Sequence, residues 1–197
     1  MIRALHRQPS IQVAIRHLTS PELPALQRAL PPEHPEAHVR RLAAQRAGRA
    51  AYLVAWQGPR PVGHVLLGWG GSRNPELLWL LNPRDRPPYV EALLVHEAYR
   101  SLGIGTQLLR GAERLAAERG APQIGLAVAV ENWRARALYA RLGYRDAGVG
   151  LFANTWVTLD ERGDDVAQHE RCGYLVKSLD DADAGELRRE IEIGERP

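Results

Sequence analysis

The chain has 197 residues, of which 45% are hydrophobic and 25% are charged. A chain of this length and apolar content can bury a sizeable core, which excludes an intrinsically disordered protein. The longest strongly apolar runs, residues 77–81 and 126–130, are too short to cross a bilayer and exclude a membrane-spanning protein. We therefore expect a globular protein without a membrane partner.

Cysteine usage and the start of the chain bear on the compartment. Cys172 is the only cysteine, so neither an intramolecular disulfide nor a cysteine zinc cluster can form, and we expect no metal. Residues 1–12 lack the apolar stretch of a signal peptide. The sequence predicts a cytoplasmic protein with residues 1–10 as a loose N-terminal leader.

The charge is basic and unevenly distributed. The sequence pI is about 9.3, and Lys177 is the only lysine among the 26 lysines and arginines. Basic side chains are in excess over residues 1–159 and acidic ones over residues 160–197. An ordinary solvated surface is the first interpretation of this charge and a phosphate-bearing cofactor the second, whereas no aromatic RNA-binding signature or cysteine and histidine finger is present. A nucleic-acid partner is accordingly the least favoured reading of the charge.

The first part of the chain predicts a strand, two helices and a hairpin. Apolar residues that alternate with polar ones indicate strands, and a Ser-Pro-Glu sequence is typical of a helix start. A cluster of prolines separates the two helices. In chain order we expect a strand over 11–15, a helix from Ser20, a helix over 36–47, and hairpin strands over 51–56 and 62–69.

The second part alternates strands with helices and closes with strands. An apolar stripe at helical spacing indicates the longest helix, which stops at Gly120. The region between the last two strands, 149–172, could extend either of them around a turn at 161–165. In chain order we expect a strand over 89–95, a helix over 103–119, a strand over 124–130, a helix over 132–142, and strands over 144–148 and 173–179.

A glycine-rich turn follows the predicted strand 89–95. Such a turn attracts phosphate, because the first amides of a helix lack intrahelical partners and the helix dipole adds positive charge. The Rossmann pattern would need a third glycine at Leu108, and the Walker A pattern would need a lysine that the turn does not contain. The remaining pattern, R-x-x-G-x-G from Arg100 through Gly103 to Gly105, resembles the pyrophosphate loop of the GCN5-related N-acetyltransferases.

A second motif carries the same resemblance. It begins about 30 residues after the glycine turn and reproduces the second acetyl-CoA block of that family, with a helix and a buried strand between the two motifs. Its residues are Asn132, Ala135, Leu138, Tyr139, Gly143 and Tyr144.

The resemblance implies a fold. The two motifs lie within residues 89–144, and the order of the flanking elements extends the likeness over nearly the whole chain. The implied fold is α/β (α+β): a mixed, mostly antiparallel twisted sheet, flanked by helices, whose central parallel strands near Leu93 and Leu126 splay apart. It further implies one acetyltransferase domain over residues 11–179, followed by an acidic C-terminal tail, 180–197.

The resemblance also implies acetyl-CoA as cosubstrate and assigns residues to it. Backbone groups of a bulged strand pair with pantetheine, amides of the glycine turn wrap the pyrophosphate, and Arg100 adds charge. Asn132 would bond the pantetheine arm and Tyr139 would protonate the leaving thiolate, although a helix N-cap and a core aromatic are alternative roles. The implied cofactor-binding set is Leu93, Leu94, Val95, Arg100, Ser101, Leu102, Gly103, Ile104, Gly105, Thr106, Asn132 and Tyr139.

The general base is Glu91 in this interpretation. The family carries a catalytic glutamate at this position in many members, and strand alternation would place Glu91 on the same face as Leu93 and Val95. A half-buried carboxylate paired with an arginine is the alternative. His64 and Glu131 are weaker candidates for the base.

The acceptor side is expected around residues 70–88, an irregular stretch that is long for a connection. Its apolar island, with Trp79 among leucines, should pack on something: a pocket wall, the body of the protein or a second copy in a homodimer. Trp69, Trp79, Glu91 and Val128 are the predicted acceptor-binding residues.

Three functions remain open at this stage. The first is an N-acetyltransferase that transfers acetyl from acetyl-CoA to a primary amine of a small molecule by direct attack. The second is an acetyltransferase of a protein amino group, and the third is a catalytically silent acyl-CoA-binding sensor. The acceptor, the acyl preference and the oligomeric state are left undetermined by the residues.

Overall fold

The computed structural model describes residues 11–82 and 86–179. The predicted leader, residues 1–10, and the predicted acidic tail, residues 180–197, lie outside the described residues. Strands and helices form near their predicted positions. The strands are β1 (Ala14–His17), β2 (Ala50–Gln57), β3 (Arg60–Gly68), β4 (Tyr89–Val95), β5 (Gln123–Ala129), β6 (Arg145–Leu159) and β7 (Asp165–Ser178).

The helices alternate with these strands. A short 3-10 helix, Ser20–Glu22, leads into the first α-helix, and another, Glu97–Tyr99, follows β4. Residues 70–88, expected to be irregular, contain a six-residue helix whose start is capped by the Asn74 side chain. The α-helices are α1 (Leu23–Ala29), α2 (Ala37–Arg46), α3 (Pro75–Leu80), α4 (Ile104–Glu118) and α5 (Trp133–Arg141).

The strands form one seven-stranded sheet in the order β1-β2-β3-β4-β5-β7-β6. Every neighbouring pair is antiparallel except β4 and β5, which are parallel. The parallel ladder joins Tyr89 to Gly125 and Val90 to Leu126 and then ends. The mixed sheet with splayed central strands is thereby confirmed.

Strand β4 carries a bulge just past the end of that ladder. Leu66 of β3 faces Glu91 and His64 faces Leu94, so two residues of β3 span three of β4. Ala92 lies at the bulge with a left-handed φ of 51°, a conformation that a residue with a Cβ rarely adopts. One extra residue reverses the inside and outside alternation of the strand from this point on.

Two faces of the sheet are covered by different helices. On one face, α4 and α5 pack against a core that includes Val90, Leu93 and Val95 of β4. On the other, α1 and α2 cover β2 and β3, while α3 covers the far end of the sheet through the fully buried Leu77. The second face is therefore covered in two parts, with β4 between them.

The segment before α3 is tied to the edge strand β6. The Asn74 side-chain amide donates to the carbonyl oxygen of Ala153 at 2.8 Å, and the Ala153 amide donates to the Glu76 carboxylate. Side chains thus satisfy both backbone groups of an edge residue, which blocks strand pairing there. The contact holds α3 against the edge strand β6.

Candidate active site

Three elements converge where β4 leaves β5. A Cβ placed on Gly105, in the first turn of α4, would lie 3.6 Å from Cδ2 of Leu138 on α5 and 3.9 Å from Cγ2 of Val95 on β4. These are ordinary van der Waals distances, so the start of α4 lies in contact range of both elements. The structure brings the end of β4, the glycine turn and α5 together as the two motifs predict.

The glycine turn has the backbone shape of an anion site. Gly103 is the N-cap of α4 in the left-handed conformation, with φ +79°, and Ser101 is left-handed as well, with φ +63°. Within residues 11–82 and 86–179, Ala92 and Ser101 are the non-glycine residues with positive φ. Such strain concentrates at functional sites, and both residues belong to the strand and turn predicted to receive the cofactor.

The turn is held in place from both sides. Arg100 donates from Nε to the carbonyl oxygen of Val95 at 3.3 Å, and the Ile11 amide donates to the Leu102 carbonyl at 3.1 Å. Ile104 is fully buried, so its side chain anchors the turn in the core while its amide stays at the helix start. The amides of the first helical turn are thus pre-positioned for an anion.

Tyr139 of α5 is buried against the same core as α4. Burial raises the pKa of its hydroxyl to about 12. Because the pKa lies above its ordinary value, the phenol stays protonated through neutral pH and can donate a proton. A role as proton donor is consistent with this state.

Asn132 caps α5. Its side-chain oxygen accepts from the Ala135 amide at 3.1 Å, as an N-cap does. The cap uses the oxygen and leaves the side-chain nitrogen as a further donor on this exposed residue. The capping role is confirmed, and a contact to pantetheine stays a prediction.

Glu91 faces the side of the sheet opposite to the one expected. The expectation that it shares a face with Leu93 and Val95 is wrong, because the bulge after Glu91 reverses the alternation. Glu91 lies on the face of Leu66, next to the cover formed by α1 and α2. It therefore approaches the splay from the side opposite to Tyr139.

Burial and the neighbouring positive charges shift the pKa of the Glu91 carboxyl in opposite directions. Its side chain is 28% exposed, and Nη2 of Arg73 lies 3.7 Å from its Oε2. Burial raises the pKa of the carboxyl, while the charges of Arg73 and Arg41 lower it and leave a net upward shift. A carboxylate with a raised pKa is a better proton acceptor at neutral pH than an ordinary one.

A family model described as "Acetyltransferase (GNAT) family" matches residues 13–144. The chain belongs to this family. It is 34% identical over 103 residues to an N-alpha-acetyltransferase of Sulfurisphaera tokodaii, an alignment that covers 51% of this chain and 59% of the relative.

Other GNAT proteins support the assignment. A thialysine N-epsilon-acetyltransferase of Bos taurus is 34% identical over 86 residues, which cover 44% of this chain and 48% of that one. The chain thus spans about half the length of the curated relatives it matches. The crystal structure of a PaiA N-acetyltransferase of Thermoplasma acidophilum in complex with coenzyme A has a TM-score of 0.57 at 15% identity, over 85% of this chain and 99% of that one. That likeness shows the GNAT fold.

Three of the predicted acceptor-binding residues lie away from Glu91. Trp69 packs against the α4 face, with the Arg119 guanidinium 3.8 Å from its ring centroid, and Val128 is buried in that same core. Trp79 is 90% exposed on α3, so the prediction that the whole apolar island packs is wrong for this residue. The face on which each of these side chains lies depends on strand pairing and helix packing, and the amino-acid composition does not reveal that face.

Tyr52, His38 and His64 form a buried aromatic and histidine cluster on the Glu91 side of the sheet, and the sequence pattern does not predict that these three residues meet. Tyr52 donates its hydroxyl hydrogen to Nδ1 of His38 at 2.6 Å, and the ring centroids of His38 and His64 are 5.1 Å apart. Burial lowers the pKa of His64 well below its ordinary value. A lowered pKa makes the His64 ring a weak proton acceptor, so Glu91 stays the favoured candidate for the base.

The described residues contain no group of three or more histidine, cysteine, aspartate or glutamate side chains placed to hold a metal ion. Of the helices within residues 11–82 and 86–179, none is long and apolar enough to span a membrane.

The residues present fit coenzyme A. The parallel ladder ends at Val90, so the β4 backbone beyond it faces the opening between the strands. The left-handed Gly103 directs the start of α4 toward the same opening, where an anion would be stabilised. Pantetheine would lie along 93–95, and the pyrophosphate against 102–106.

Proposed function

We propose that this GNAT protein transfers an acetyl group from acetyl-CoA to a primary amine of a small molecule. The observation that carries the proposal is the placement of Glu91 and Tyr139 on opposite faces of the sheet in which β4 and β5 splay apart. The amine would enter from the Glu91 face, and the thiol would depart toward Tyr139. The reaction needs a proton acceptor at the amine and a proton donor at the sulfur, and these two residues supply them.

Acetyl-CoA, when bound, supplies an acetyl thioester that reacts with amines. Glu91 removes a proton from the acceptor ammonium, so that the neutral nitrogen can form the new bond to the acetyl carbon. As the carbon–sulfur bond breaks, the Tyr139 hydroxyl would give its proton to the thiolate, and the second proton, which the nitrogen loses as the amide forms, would restore that hydroxyl. Backbone amides of 93–95 would hold the acetyl oxygen, and burial of Tyr139 keeps its hydroxyl protonated for this step.

The experiment that tests the proposal measures free thiol released from acetyl-CoA in the presence of a panel of amines. The panel contains small primary amines, amino acids and peptides with free N-termini, and propionyl-CoA and succinyl-CoA serve as acyl comparisons. We expect amine-dependent thiol release with acetylated small-molecule product. Release only with peptides would favour a protein acceptor. CoA binding without turnover on any amine would point to the acyl-CoA sensor.

Glu91→Gln tests the general base. We expect a loss of turnover that is greatest at low pH, because there the variant depends on the scarce neutral amine already present in solution. Since the pKa of Glu91 is raised, the wild-type rate should fall on the acid side only where this carboxylate becomes protonated, whereas the rate of the variant should fall at higher pH, in step with the fraction of neutral amine. Initial rates between about pH 6 and pH 9 provide the measurement.

Glu131→Gln is the matched control for that variant. It removes a carboxylate from an exposed residue just before α5. An unchanged pH profile in Glu91→Gln would transfer the role to a water chain or, if Glu131→Gln showed the loss, to Glu131.

A further inference from the structure

Two guanidinium groups flank Glu91 on the acceptor face. Arg73, in the loop before α3, lies 3.7 Å from the Glu91 carboxylate. Arg41 approaches from α2 and also acts electrostatically on Glu91. This part of the site therefore combines one carboxylate with two cations that act on it and that belong to the two separate covers of the sheet face.

Arg41 is the deeper of the two cations. Its side chain is 17% exposed, and its ion pair with Glu33 spans 3.9 Å to a residue that is 62% exposed. That distance is longer than a hydrogen bond, and an ion pair to an exposed partner contributes little. The Arg41 guanidinium loses favourable hydration free energy when it is partly buried, and the ion pair with Glu33 restores little of it.

The other groups around Arg41 carry no negative charge. His38 accepts a long contact from Arg41 at 3.5 Å, and burial lowers the pKa of His38, so its ring is neutral. The hydroxyl of Tyr52, whose pKa burial raises to about 12, is protonated. Apart from the carboxylates of Glu33 and Glu91, the guanidinium consequently faces neutral partners, and an anion entering the site would interact with it favourably.

We propose that the acceptor is a zwitterion, an amine that also carries a carboxylate, with its ammonium at Glu91 and its carboxylate held by Arg41 and Arg73. The inference rests on the proposed function, because it takes Glu91 as the partner of the amine. An entering ammonium displaces Arg73 from Glu91, and the acceptor carboxylate then becomes the new partner of both guanidinium groups. Arginine suits this role because its planar fork matches a carboxylate.

The same charges act against other amines. A diamine or polyamine would bring a second cation toward two guanidinium groups, where like charges repel. A simple alkylamine has no carboxylate, so it would give Arg41 no anion to bind. Specificity in this site therefore arises from attraction of the carboxylate and from repulsion of a second ammonium.

The test compares amines that differ by one carboxylate: glycine with methylamine, L-alanine with ethylamine and L-lysine with cadaverine. Rates are expressed per concentration of neutral amine, because the pairs differ in amine pKa. We expect the carboxylate member to have a kcat/KM higher by about 10-fold to 100-fold, the range typical of charged hydrogen bonds.

Equal values of kcat/KM within each pair overturn the inference and leave the acetyltransferase proposal intact. Absence of thiol release with every amine overturns the acetyltransferase proposal itself.

Arginine variants locate the carboxylate site. Arg41→Gln and Arg73→Gln should each lower the preference for the carboxylate member by about 10-fold, and Arg41→Lys should retain part of it. The KM for acetyl-CoA should stay constant, and the kcat/KM of the carboxylate member should fall much further than that of its decarboxylated partner, which a merely structural role would not produce. Because Arg73 is 85% exposed, its variant remains informative if Arg41→Gln fails to fold.

Arg40→Gln is the matched control. Arg40 is the neighbouring residue on α2, and it forms an exposed ion pair with Glu36 at 3.9 Å. It should leave the preference unchanged. An unaltered preference in folded Arg41→Gln and Arg73→Gln, or an equal loss in Arg40→Gln, would overturn the assignment.

Discussion

Replacing Tyr139 by phenylalanine should lower turnover by about 100-fold to 10,000-fold, the range of general acid catalysis, with bulk water able to replace part of the lost proton transfer. The affinity for acetyl-CoA should stay nearly constant, because only the hydroxyl is removed from a ring that packs in the core. Since burial raises the pKa of Tyr139 to about 12, the wild-type hydroxyl is protonated throughout, and no alkaline limb below that pKa should come from it. Steady-state rates and calorimetric CoA binding measure the two effects.

Tyr144→Phe makes the same chemical change on a neighbouring ring. The two ring centroids are 5.7 Å apart, but Tyr144 interacts with the buried Glu113, which forms an ion pair with Lys177 at 2.9 Å. This variant should keep wild-type turnover when folded, even if its thermal stability changes. Full turnover of Tyr139→Phe between about pH 6 and pH 9 would instead demote Tyr139 to a packing role.

The second large effect is expected at the glycine turn. Gly103→Val should weaken CoA binding by about 5-fold to 30-fold, because a residue with a Cβ is disfavoured at φ +79° by about 1–2 kcal/mol and the turn relaxes away from the shape that receives the pyrophosphate. The branched side chain would also stand where the helix amides must approach the pyrophosphate closely. Isothermal titration calorimetry with CoA measures the loss independently of any acceptor.

Ser101→Gly is the control for that substitution. Ser101 is also left-handed, with φ +63°, so glycine relieves strain there without adding volume. This variant should retain CoA affinity. Wild-type affinity in Gly103→Val would place the pyrophosphate somewhere other than residues 102–106.

The cofactor half of the site was open to prediction because its signals are local. A glycine with a left-handed φ, an unsatisfied helix start and an N-cap asparagine are each specified within a few residues, and the Gly103 turn and Asn132 lie where the motifs predict them. The strand pattern of 89–95 likewise matches β4. Short-range backbone preferences determine such features, so the sequence suffices for them.

The acceptor half could not be predicted in the same way. The face of Glu91 depends on one extra residue in β4, and only its pairing with β3 reveals the bulge. Regular alternation misplaces Glu91, and the side to which Trp69 and Val128 point likewise follows from pairing and packing. A single inserted residue reverses every later side chain of a strand, and no local propensity signals it.

By itself, the sequence determined the order of the elements, the glycine turn and the cofactor motif, since each depends on residues close together in the chain. The tertiary structure alone decided that Arg41 on α2 and Arg73 before α3 act together on Glu91. These residues come from two separate covers of one sheet face, far apart in the sequence. Long-range packing determines such a charge arrangement. Because the residues lie far apart in the chain, no periodic sequence pattern predicts that they meet.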